Sequence, residues 1–351
     1  MSDKYILDDL TIIIFTYKRY EYLKRLLDFY FRYNYNYNFL ILDSTPYEPA
    51  DSELLILLNS TKNIKWIKYR ETIFFIDKIE DGSKYLNTEY SVLCADDDFI
   101  FPSALINSIK FLKRNLNYSS CHGLYYDYTL ENNIKLNFGL IYGERNGGDE
   151  NNIMDRLNNY LSGKTVYYSF YAVQRTMQFK TVWEFTKIYA VDWAMGEIFP
   201  CSASLVLGKM KILNIAYSVR EPNNFNWYDS DRMKLMYTTK NINQSIIGLT
   251  ELINKEGKFG LDIVDKRLIE SFDHLLSRTF KRKFNDSNEV RILTFISKLK
   301  NYIKYKCNKI IFNYKLVSKR DYNILLAIII KHNIFSINDS RLDYAEQNND
   351  K

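Results

Sequence analysis

Three consecutive carboxylates are the strongest chemical signal in the sequence. Asp96, Asp97 and Asp98 directly follow the apolar run Tyr90–Ala95, whose residues favour a buried strand. Removing an ionised carboxylate from water is costly unless a cation compensates for it. Open α/β sheets bind their ligands at the carboxyl ends of the strands. A divalent metal that holds a phosphate is the simplest compensation, so the chain is a candidate enzyme.

The elements before this acidic run indicate how it is positioned. β-Branched and apolar runs predict strands at Leu10–Phe15, Phe39–Asp43 and Ile64–Tyr69. Helical patterns separate them, including a predicted helix over Ile73–Leu86. Strands that alternate with helices favour a parallel sheet built from βαβ units. The predicted class is therefore α/β, with a mostly parallel central sheet flanked by helices.

The second half of the chain continues the alternation and then becomes helical and rich in lysine. The pattern predicts these elements: a helix over Ser103–Leu116 with Ser103 as N-cap, a strand over Gly123–Tyr128, a strand over Tyr167–Tyr171, a helix over Met177–Ile188, and a helix from Asp192 towards Gly208. We expect a catalytic domain over residues 1–240, a helical basic region over residues 241–336 and a disordered tail over residues 337–351.

Composition and charge restrict the classes of protein. The chain has 351 residues, 46% of them hydrophobic and 26% charged, with a net charge of +6. The segment Arg278–His332 holds fourteen Lys and Arg residues against three acids, so the rest of the chain is acidic. The basic segment has three interpretations. The first is a helical subdomain with a solvated surface, the second is a contact with anionic lipid, and the third is a nucleic-acid surface.

The cysteines and the N-terminus indicate the compartment. Four cysteines lack metal or redox spacing and are expected to be reduced and mostly buried. The sequence shows no signal-peptide pattern and no apolar run of transmembrane length. We expect a cytoplasmic protein, with a peripheral position on the inner face of the membrane as the alternative.

Two motifs in the correct order resemble bacterial glycosyltransferases with the GT-A fold, close to the inverting family 2. The segment Thr11–Arg19 is similar to their opening strand and nucleotide-contacting turn. Asp43 matches the acid that ends their second strand, and Asp96–Asp98 matches their Asp-x-Asp metal motif. The resemblance covers roughly residues 10–235. It implies a GT-A catalytic domain that is followed here by the basic helical extension.

The resemblance assigns roles in donor binding. Thr16, Tyr17 and Arg19 would line the nucleotide pocket, and Asp43 would accept hydrogen bonds from the base. Asp96 would hold the ribose or share the metal, and Asp98 would bind Mn²⁺ or Mg²⁺ on the donor diphosphate. Asp97 would contribute to the donor site or only brace its neighbours.

Two further cations and a catalytic base are expected beside the donor-binding residues. Lys78 and Arg220 would add positive charge at the diphosphate, with a solvated helix face and an ordinary surface arginine as the respective alternatives. Inverting transfer needs a base for the acceptor hydroxyl, and Glu197 is the first candidate with Asp192 second. A purely structural role, such as an N-cap at Asp192, is the alternative.

The sequence also departs from the family. The second strand ends in Leu-Asp-Ser-Thr, so no base preference follows, and the usual Glu-Asp pair at the base position is absent. No Gln-x-x-Arg-Trp motif occurs, which favours the addition of single sugars over processive synthesis.

The expected function is metal-dependent, inverting, non-processive transfer of one sugar from a nucleotide-sugar donor to a surface-glycan acceptor, which the family suggests is lipid-linked. No nucleic-acid partner is expected. One alternative is a catalytically degenerate adaptor that binds glycan or membrane. Another is a sugar-phosphate nucleotidyltransferase, although its glycine-rich loop is missing from Phe15–Lys18.

Overall fold

The computed structural model describes residues 3–132, 135–141, 148–165, 169–190, 192–221, 239–256, 266–275 and 317–332. The strands are β1 (Leu10–Thr16), β2 (Asn38–Asp43), β3 (Ile64–Lys68), β4 (Tyr90–Ala95), β5 (Asp98–Ile100), β6 (Tyr118–Glu131), β7 (Lys135–Leu140), β8 (Val173–Arg175) and β9 (Lys209–Arg220). The helices are α1 (Tyr20–Phe31), α2 (Ser52–Ser60), α3 (Phe75–Ser83), α4 (Pro102–Arg114), α5 (Ile153–Leu161), α6 (Thr176–Tyr189), α7 (Trp193–Leu207), α8 (Thr239–Lys255), α9 (266–275) and α10 (Lys319–His332).

In these ranges, nine strands form one mixed sheet. Its order is β3-β2-β1-β4-β8-β6-β9-β5, and β7 pairs with β6 outside this path. The β1, β2, β3 and β4 strands run parallel. The chain moves from β1 to β2 and β3 on one side, then returns to place β4 on the other side of β1. The carboxyl ends of β1 and β4 therefore flank a topological switch point, where sheets of this type bind ligands.

Both faces of the sheet are covered by helices, and successive side chains of β1 pack into the two helical layers in turn. Ile12 and Ile14 belong to one apolar cluster, whereas Ile13 belongs to the other. The first cluster includes apolar side chains of α1, α4 and α10, and the second includes those of α3, α6, α7 and α8. Successive side chains of a strand point to opposite faces, so an uninterrupted apolar run is the pattern required between two helical layers.

The expected α/β class with its helical C-terminal part is confirmed. The strands predicted at residues 10–15, 39–43, 64–69 and 90–95 and the helices predicted over residues 177–188 and from 192 towards 208 are present within a residue or two. The predicted helix over residues 73–86 is shorter and spans Phe75–Ser83.

Two local predictions were wrong, and two strands were missed. Within the predicted strand over residues 167–171, Ser169–Tyr171 forms a 3₁₀ turn, and the strand is Val173–Arg175. Ser103 is not the N-cap of α4, because Phe101 occupies that position and Pro102 begins the helix. The strands β7 and β9 were not predicted, since β7 follows a polar turn and β9 alternates polar and apolar residues irregularly.

Several predictions concern residues only partly covered by the structure. Most of the basic segment and the tail over residues 337–351 lie outside the described residues. Cys94, Cys121 and Cys201 are buried free thiols. In the part of the chain that the structure describes, every helix is too short or too polar to cross a bilayer.

The last described helix, α10, is bound to the body of the protein through a buried carboxylate. Asp321 accepts hydrogen bonds from the Tyr33 hydroxyl at 2.7 Å and from the Ser103 hydroxyl at 3.2 Å. Apolar side chains of the same helix, including Leu325 and Ile328, join the cluster on α1. The Ser103 hydroxyl is thus used for attaching α10 to α4.

We expect Asp321→Ala to lower the free energy of unfolding by about 1–3 kcal/mol, because it leaves the buried Tyr33 hydroxyl without an acceptor. Urea unfolding of the full chain measures this change. Asn323→Ala is the control, since Asn323 is exposed on the same helix and should change stability by less than about 0.5 kcal/mol. Equal effects of the two substitutions would contradict the anchoring role of Asp321.

Candidate active site

The register of the sheet brings the β1 turn to the acidic run. Phe15 on β1 lies opposite Ala95 on β4, so the next residues, Thr16 and Asp96, lie side by side at the carboxyl end of the sheet. The Thr16 hydroxyl donates to Asp96 Oδ2 at 2.7 Å, and both side chains are buried. Two sequence motifs eighty positions apart therefore form one site.

Arg19 neutralises the first two carboxylates. Its Nη1 lies 3.0 Å from Asp96 Oδ1 and its Nη2 lies 3.1 Å from Asp97 Oδ2. The guanidinium also stacks on the Tyr22 ring, with Cζ 4.0 Å from the ring centroid. Burial opposes the charge of Arg19, but the fields of Asp96 and Asp97 overcome this and raise its pKa. Arg19 is thus a fixed counter-ion of the acidic run.

Arg220 neutralises the third carboxylate. Asp98 on β5 pairs directly with Arg220 on β9, and Arg220 Nε lies 3.1 Å from Asp98 Oδ2. The guanidinium carbon lies 5.3 Å from the Tyr125 ring centroid and 4.9 Å from that of Tyr171. Burial raises the pKa of Asp98 to about 7, even though Arg220 acts in the opposite direction.

A second buried ion pair anchors the end of β9. Arg25 on α1 is 2% exposed, and its Nη2 lies 2.6 Å from Glu221 Oε2. The Tyr128 hydroxyl donates to the same Glu221 oxygen at 3.3 Å. Glu221 directly follows Arg220, so this contact fixes the backbone that presents Arg220 to Asp98.

The turn after β1 is strained and held by polar contacts. Lys18 adopts a left-handed conformation with φ of 55°, which is costly for a residue with a Cβ and recurs at functional sites. The Lys18 amide donates to Thr45 Oγ1 at 2.8 Å. The Tyr17 hydroxyl and the Lys18 ammonium both bind Glu71 Oε1 at 2.7 Å. These contacts fix the turn that precedes Arg19.

Asp43 lies at the end of β2, where it is completely buried. Its Oδ2 accepts from the Tyr20 hydroxyl at 2.8 Å and lies 3.1 Å from both Trp66 Nε1 and Lys68 Nζ, and its Oδ1 accepts from the Thr45 amide at 2.8 Å. These donors make Asp43 a bracing group at the edge of the site. Its contact with a nucleobase stays a prediction.

Lys78 is buried beneath the site. Its Nζ donates to Ser44 Oγ at 3.0 Å and to the Thr16 carbonyl at 3.4 Å. Burial lowers the pKa of Lys78 to about 8, against the fields of Asp43 and Asp96. The structure therefore places Lys78 under the β1 and β2 ends rather than on a solvated helix face. Its contact with a diphosphate stays a prediction.

The two candidate bases differ in their surroundings. Asp192 is the N-cap of α7: it accepts from the Met195 amide at 2.8 Å and from the Asn241 side chain. Glu197 on α7 is exposed, although neighbouring protein atoms partly remove its carboxylate from water. This environment raises the pKa of Glu197, and the charge of Arg220 acts in the opposite direction.

The acidic run does not form a ready-made metal site by itself. In the described ranges, no group of three or more His, Cys, Asp and Glu side chains is arranged to hold a metal ion. Mg²⁺ in phosphate-binding sites needs only one or two carboxylates, because phosphate oxygens and water complete its shell. Asp98 is a hard oxygen ligand that already faces a cation, Arg220. A metal role for Asp96 and Asp98 stays a prediction.

The structure brings most of the predicted site residues to one edge of the sheet. Thr16, Arg19, Asp96 and Asp97 form one linked set, Arg220 pairs with Asp98 next to it in sequence, and Lys78 contacts the Thr16 carbonyl. Tyr17 faces Glu71, and Glu197 lies within the field of Arg220. Asp43 and Asp192 instead use their oxygens in bracing and capping contacts.

Sequence reasoning missed the groups that support these residues: Arg25, Glu71, Tyr125, Tyr171 and Glu221. One signal was available, because an arginine on the apolar face of α1 must find a buried anion. The others depend on pairings between distant strands and loops.

Comparison with known proteins gives similarity in structure only. No protein-family model and no curated protein sequence matches the chain. Staphylococcus aureus TarS 1–349 in complex with UDP-GlcNAc is 15% identical, with a TM-score of 0.48 over 92% of this chain and 88% of that chain. The mannosyltransferase PcManGT from Pyrobaculum calidifontis, in complex with GDP-Man and Mn²⁺, is 10% identical, with a TM-score of 0.43 over 94% of this chain and 88% of that chain. Similarity at this level leaves the function to be argued from the residues of this chain.

We expect Arg19→Met to lower the free energy of unfolding by about 3–5 kcal/mol, because it leaves two buried carboxylates without their cation. Adding Asp97→Asn should restore part of the loss, since one of these charges is then removed. Chemical denaturation of the single and double variants measures both effects.

The matched control is Lys24→Met, which removes the cation of a surface pair with Asp51. It should cost less than about 1 kcal/mol. A loss for Arg19→Met no larger than that of the control would show that Arg19 does not hold the acidic run.

Proposed function

We propose that this chain is a glycosyltransferase that uses a nucleotide-sugar donor. The observation that carries the proposal is the bond between Thr16 and Asp96, which joins the β1 turn to three buried carboxylates at the switch point of the sheet. This edge is where α/β sheets bind nucleotides. Both signs of charge meet there, because Arg19 and Arg220 lie beside the carboxylates. A diphosphate needs positive charge and a metal cation needs negative charge, so a site that binds both requires both signs.

Donor binding is assigned to the β1 turn and the acidic run. Tyr17 and Arg19 would contact the nucleotide, and Asp96 would contact the ribose or the cation. Asp98 would hold Mn²⁺ or Mg²⁺, which when bound neutralises the charge that grows on the leaving diphosphate. Arg220 would supply a further positive charge at the same group, because bidentate pairing suits phosphate oxygens. Lys78 would support the site from below.

Glu197 is the proposed base. Its side chain is exposed, whereas the oxygens of Asp192 bind the start of α7 and Asn241. In an inverting transfer, the acceptor oxygen forms a bond to the anomeric carbon as the bond to the diphosphate oxygen breaks. Glu197 takes the hydroxyl proton in that step. The product is a single added sugar, and the leaving group is a nucleoside diphosphate.

The acceptor is proposed to be a surface glycan, and a lipid-linked acceptor would bring the protein to the inner face of the membrane. The basic residues near the C-terminus would favour that position through anionic lipid. The product that is released distinguishes sugar transfer from the adaptor and nucleotidyltransferase alternatives.

A donor panel tests the proposal directly. UDP-, GDP-, dTDP- and CMP-sugars are tested with and without Mn²⁺ for thermal stabilisation of the full chain and for release of product. A donor at about 100 times its Kd should add about 2.7 kcal/mol, which corresponds to a few degrees in Tm. We expect stabilisation by one nucleotide class, and its loss in Asp98→Ala.

The control for the panel is Asp273→Ala, the same change on an exposed side chain of α9, which should respond as the unaltered protein does. Nucleoside diphosphate as product supports transfer, whereas pyrophosphate would indicate a nucleotidyltransferase. Failure of every donor to stabilise the protein or to react would overturn the proposal in favour of the adaptor.

Glu197→Gln should reduce kcat by about 10²- to 10⁴-fold, the usual contribution of a general base, while donor affinity is unchanged. The base acts when deprotonated, so activity rises with pH as Glu197 loses its proton. Because partial desolvation raises the pKa of Glu197, the acid limb of the kcat/KM profile should lie above about pH 4.3, the ordinary value for Glu. Initial rates across pH measure both effects.

Glu184→Gln is the control, since Glu184 is exposed on the neighbouring α6. If Glu197→Gln retained full kcat, the base would have to be another group, with Asp192 next in order.

A further inference from the structure

Asp43 lies at the carboxyl end of β2, where the family resemblance expects the nucleobase, but its acceptor positions are already used. The side chain is completely buried. A carboxylate offers about four acceptor positions, and the protein supplies four donors: the Tyr20 hydroxyl, Trp66 Nε1, Lys68 Nζ and the Thr45 amide. A nucleobase could bind Asp43 only by displacing one of these donors and uncovering the side chain.

A second carboxylate, Glu71, extends over the same edge of the sheet. The order β3-β2-β1 places β2 between the other two strands. Glu71 follows β3, and two residues earlier the Tyr69 amide donates to the Asp43 carbonyl at 2.7 Å. The Glu71 side chain nevertheless contacts the turn after β1, at the Tyr17 hydroxyl and the Lys18 ammonium. Glu71 therefore crosses the end of β2, just beyond Asp43.

Glu71 keeps one oxygen for a ligand. Tyr17 and Lys18 both bind Oε1 at 2.7 Å, and within the described residues no hydrogen bond or ion pair uses Oε2. The Glu71 side chain is 30% exposed, whereas that of Asp43 is 0% exposed. The hydrogen bonds from Lys18 and Tyr17 lower the pKa of Glu71, so the carboxylate is ionised at neutral pH and can only accept hydrogen bonds.

An ionised acceptor distinguishes nucleobases by the ring nitrogen that faces it. Uracil and thymine carry a hydrogen on N3, and guanine carries one on N1. Cytosine and adenine present a lone pair at the corresponding position. A carboxylate binds the N–H and repels the lone pair, and a site that is built to hydrogen-bond one group discriminates strongly against a ligand that lacks it.

We propose that Glu71, and not Asp43, recognises the nucleobase of the donor and selects bases that carry a ring N–H. The inference rests on the proposed function and adds a class of donor to it: sugars on uridine, thymidine or guanosine diphosphate rather than on cytidine or adenosine nucleotides. Oε2 of Glu71 accepts from the ring N–H while Tyr17 and Lys18 hold Oε1. Asp43 supports the edge of the sheet from below.

Two matched pairs of nucleotides test the selection without any sugar transfer. UDP and CDP differ only at the base edge that carries N3, and GDP and ADP provide the corresponding purine pair. Isothermal titration calorimetry of the full chain measures each affinity, with Mn²⁺ present throughout. In the pair whose ring size fits the site, we expect the N–H base to bind about 10-fold or more tightly than its partner, as one hydrogen bond to a charged group implies.

Glu71→Gln should lower this ratio of affinities by about 10-fold. A glutamine side chain presents either an oxygen or an N–H to the base, so it no longer favours a ring N–H over a lone pair. Its oxygen still accepts from Tyr17 and Lys18, so the turn stays braced and the variant should fold, which circular dichroism checks. The control is Glu53→Gln, because Glu53 is an exposed carboxylate that also pairs with a lysine, Lys24. The control should keep the ratio.

Three results would overturn the inference. One is a ratio near one in the unaltered protein. Another is a ratio that Glu71→Gln leaves unchanged, because Glu71 would then only brace the strained turn. The third is failure of all four nucleotides to bind.

Asp43→Asn separates the roles of the two carboxylates. The change removes the charge that Lys68 neutralises, so we expect lower stability but the same ratio of affinities as in the unaltered protein. A ratio that falls in folded Asp43→Asn and not in Glu71→Gln would assign the base to Asp43 and overturn the inference. If Asp43→Asn does not fold, Glu71→Gln and its control decide.

These outcomes are separate from those of the proposed function. A ratio that falls in Glu71→Gln, without any sugar transfer by the unaltered protein, would support base selection by Glu71 and overturn the transferase. Sugar transfer by the unaltered protein, with a ratio that Glu71→Gln leaves unchanged, would support the transferase and overturn base selection by Glu71.

Discussion

The site depends on one electrostatic constraint: three adjacent carboxylates are buried together at the end of a strand. Such a run would unfold or protonate without cations, because each ionised group loses the solvation of water. The chain meets this constraint with its own arginines. Arg19 bridges Asp96 and Asp97, and Arg220 pairs with Asp98. The site is thus held together before any ligand is present.

The arrangement of strands decides which cation reaches which carboxylate. Parallel pairing of β1 with β4 aligns Thr16 with Asp96, and the short turn after β1 then delivers Arg19 to the same place. Antiparallel pairing of β5 with β9 places Arg220 beside Asp98. One slip in register would separate each pair and reverse the faces of the side chains. Charge balance and strand pairing are therefore mutually dependent.

The surrounding contacts add rigidity where the chain is under strain. Lys18 has a positive φ, a conformation that persists only when its neighbours hold it. Glu71 and Thr45 provide those contacts, while Arg25 and Glu221 fix the strand end on the opposite side of the acidic run. These contacts form a rigid frame around the acidic run.

The sequence by itself determined the α/β class and the strands up to Ala95, and it predicted a functional role for Asp96, Asp97 and Asp98. These follow from local patterns: uninterrupted apolar runs, helical periodicity and a charge density that no strand buries without compensation. It also suggested Arg19, which lies in the turn after the first strand, and Arg220. It misplaced the cap of α4 because Pro102 is a stronger helix start than Ser103.

Only the tertiary structure decided the partners of the charged residues. It decided that guanidinium groups compensate for the acidic run, that Asp43 braces the end of β2, that Asp192 caps α7 and that Lys78 is buried. It also revealed Arg25, Tyr125, Tyr171 and Glu221 as supporting groups. The physical reason is that strand register and packing join residues far apart along the chain, whereas sequence patterns report on neighbours within a few positions.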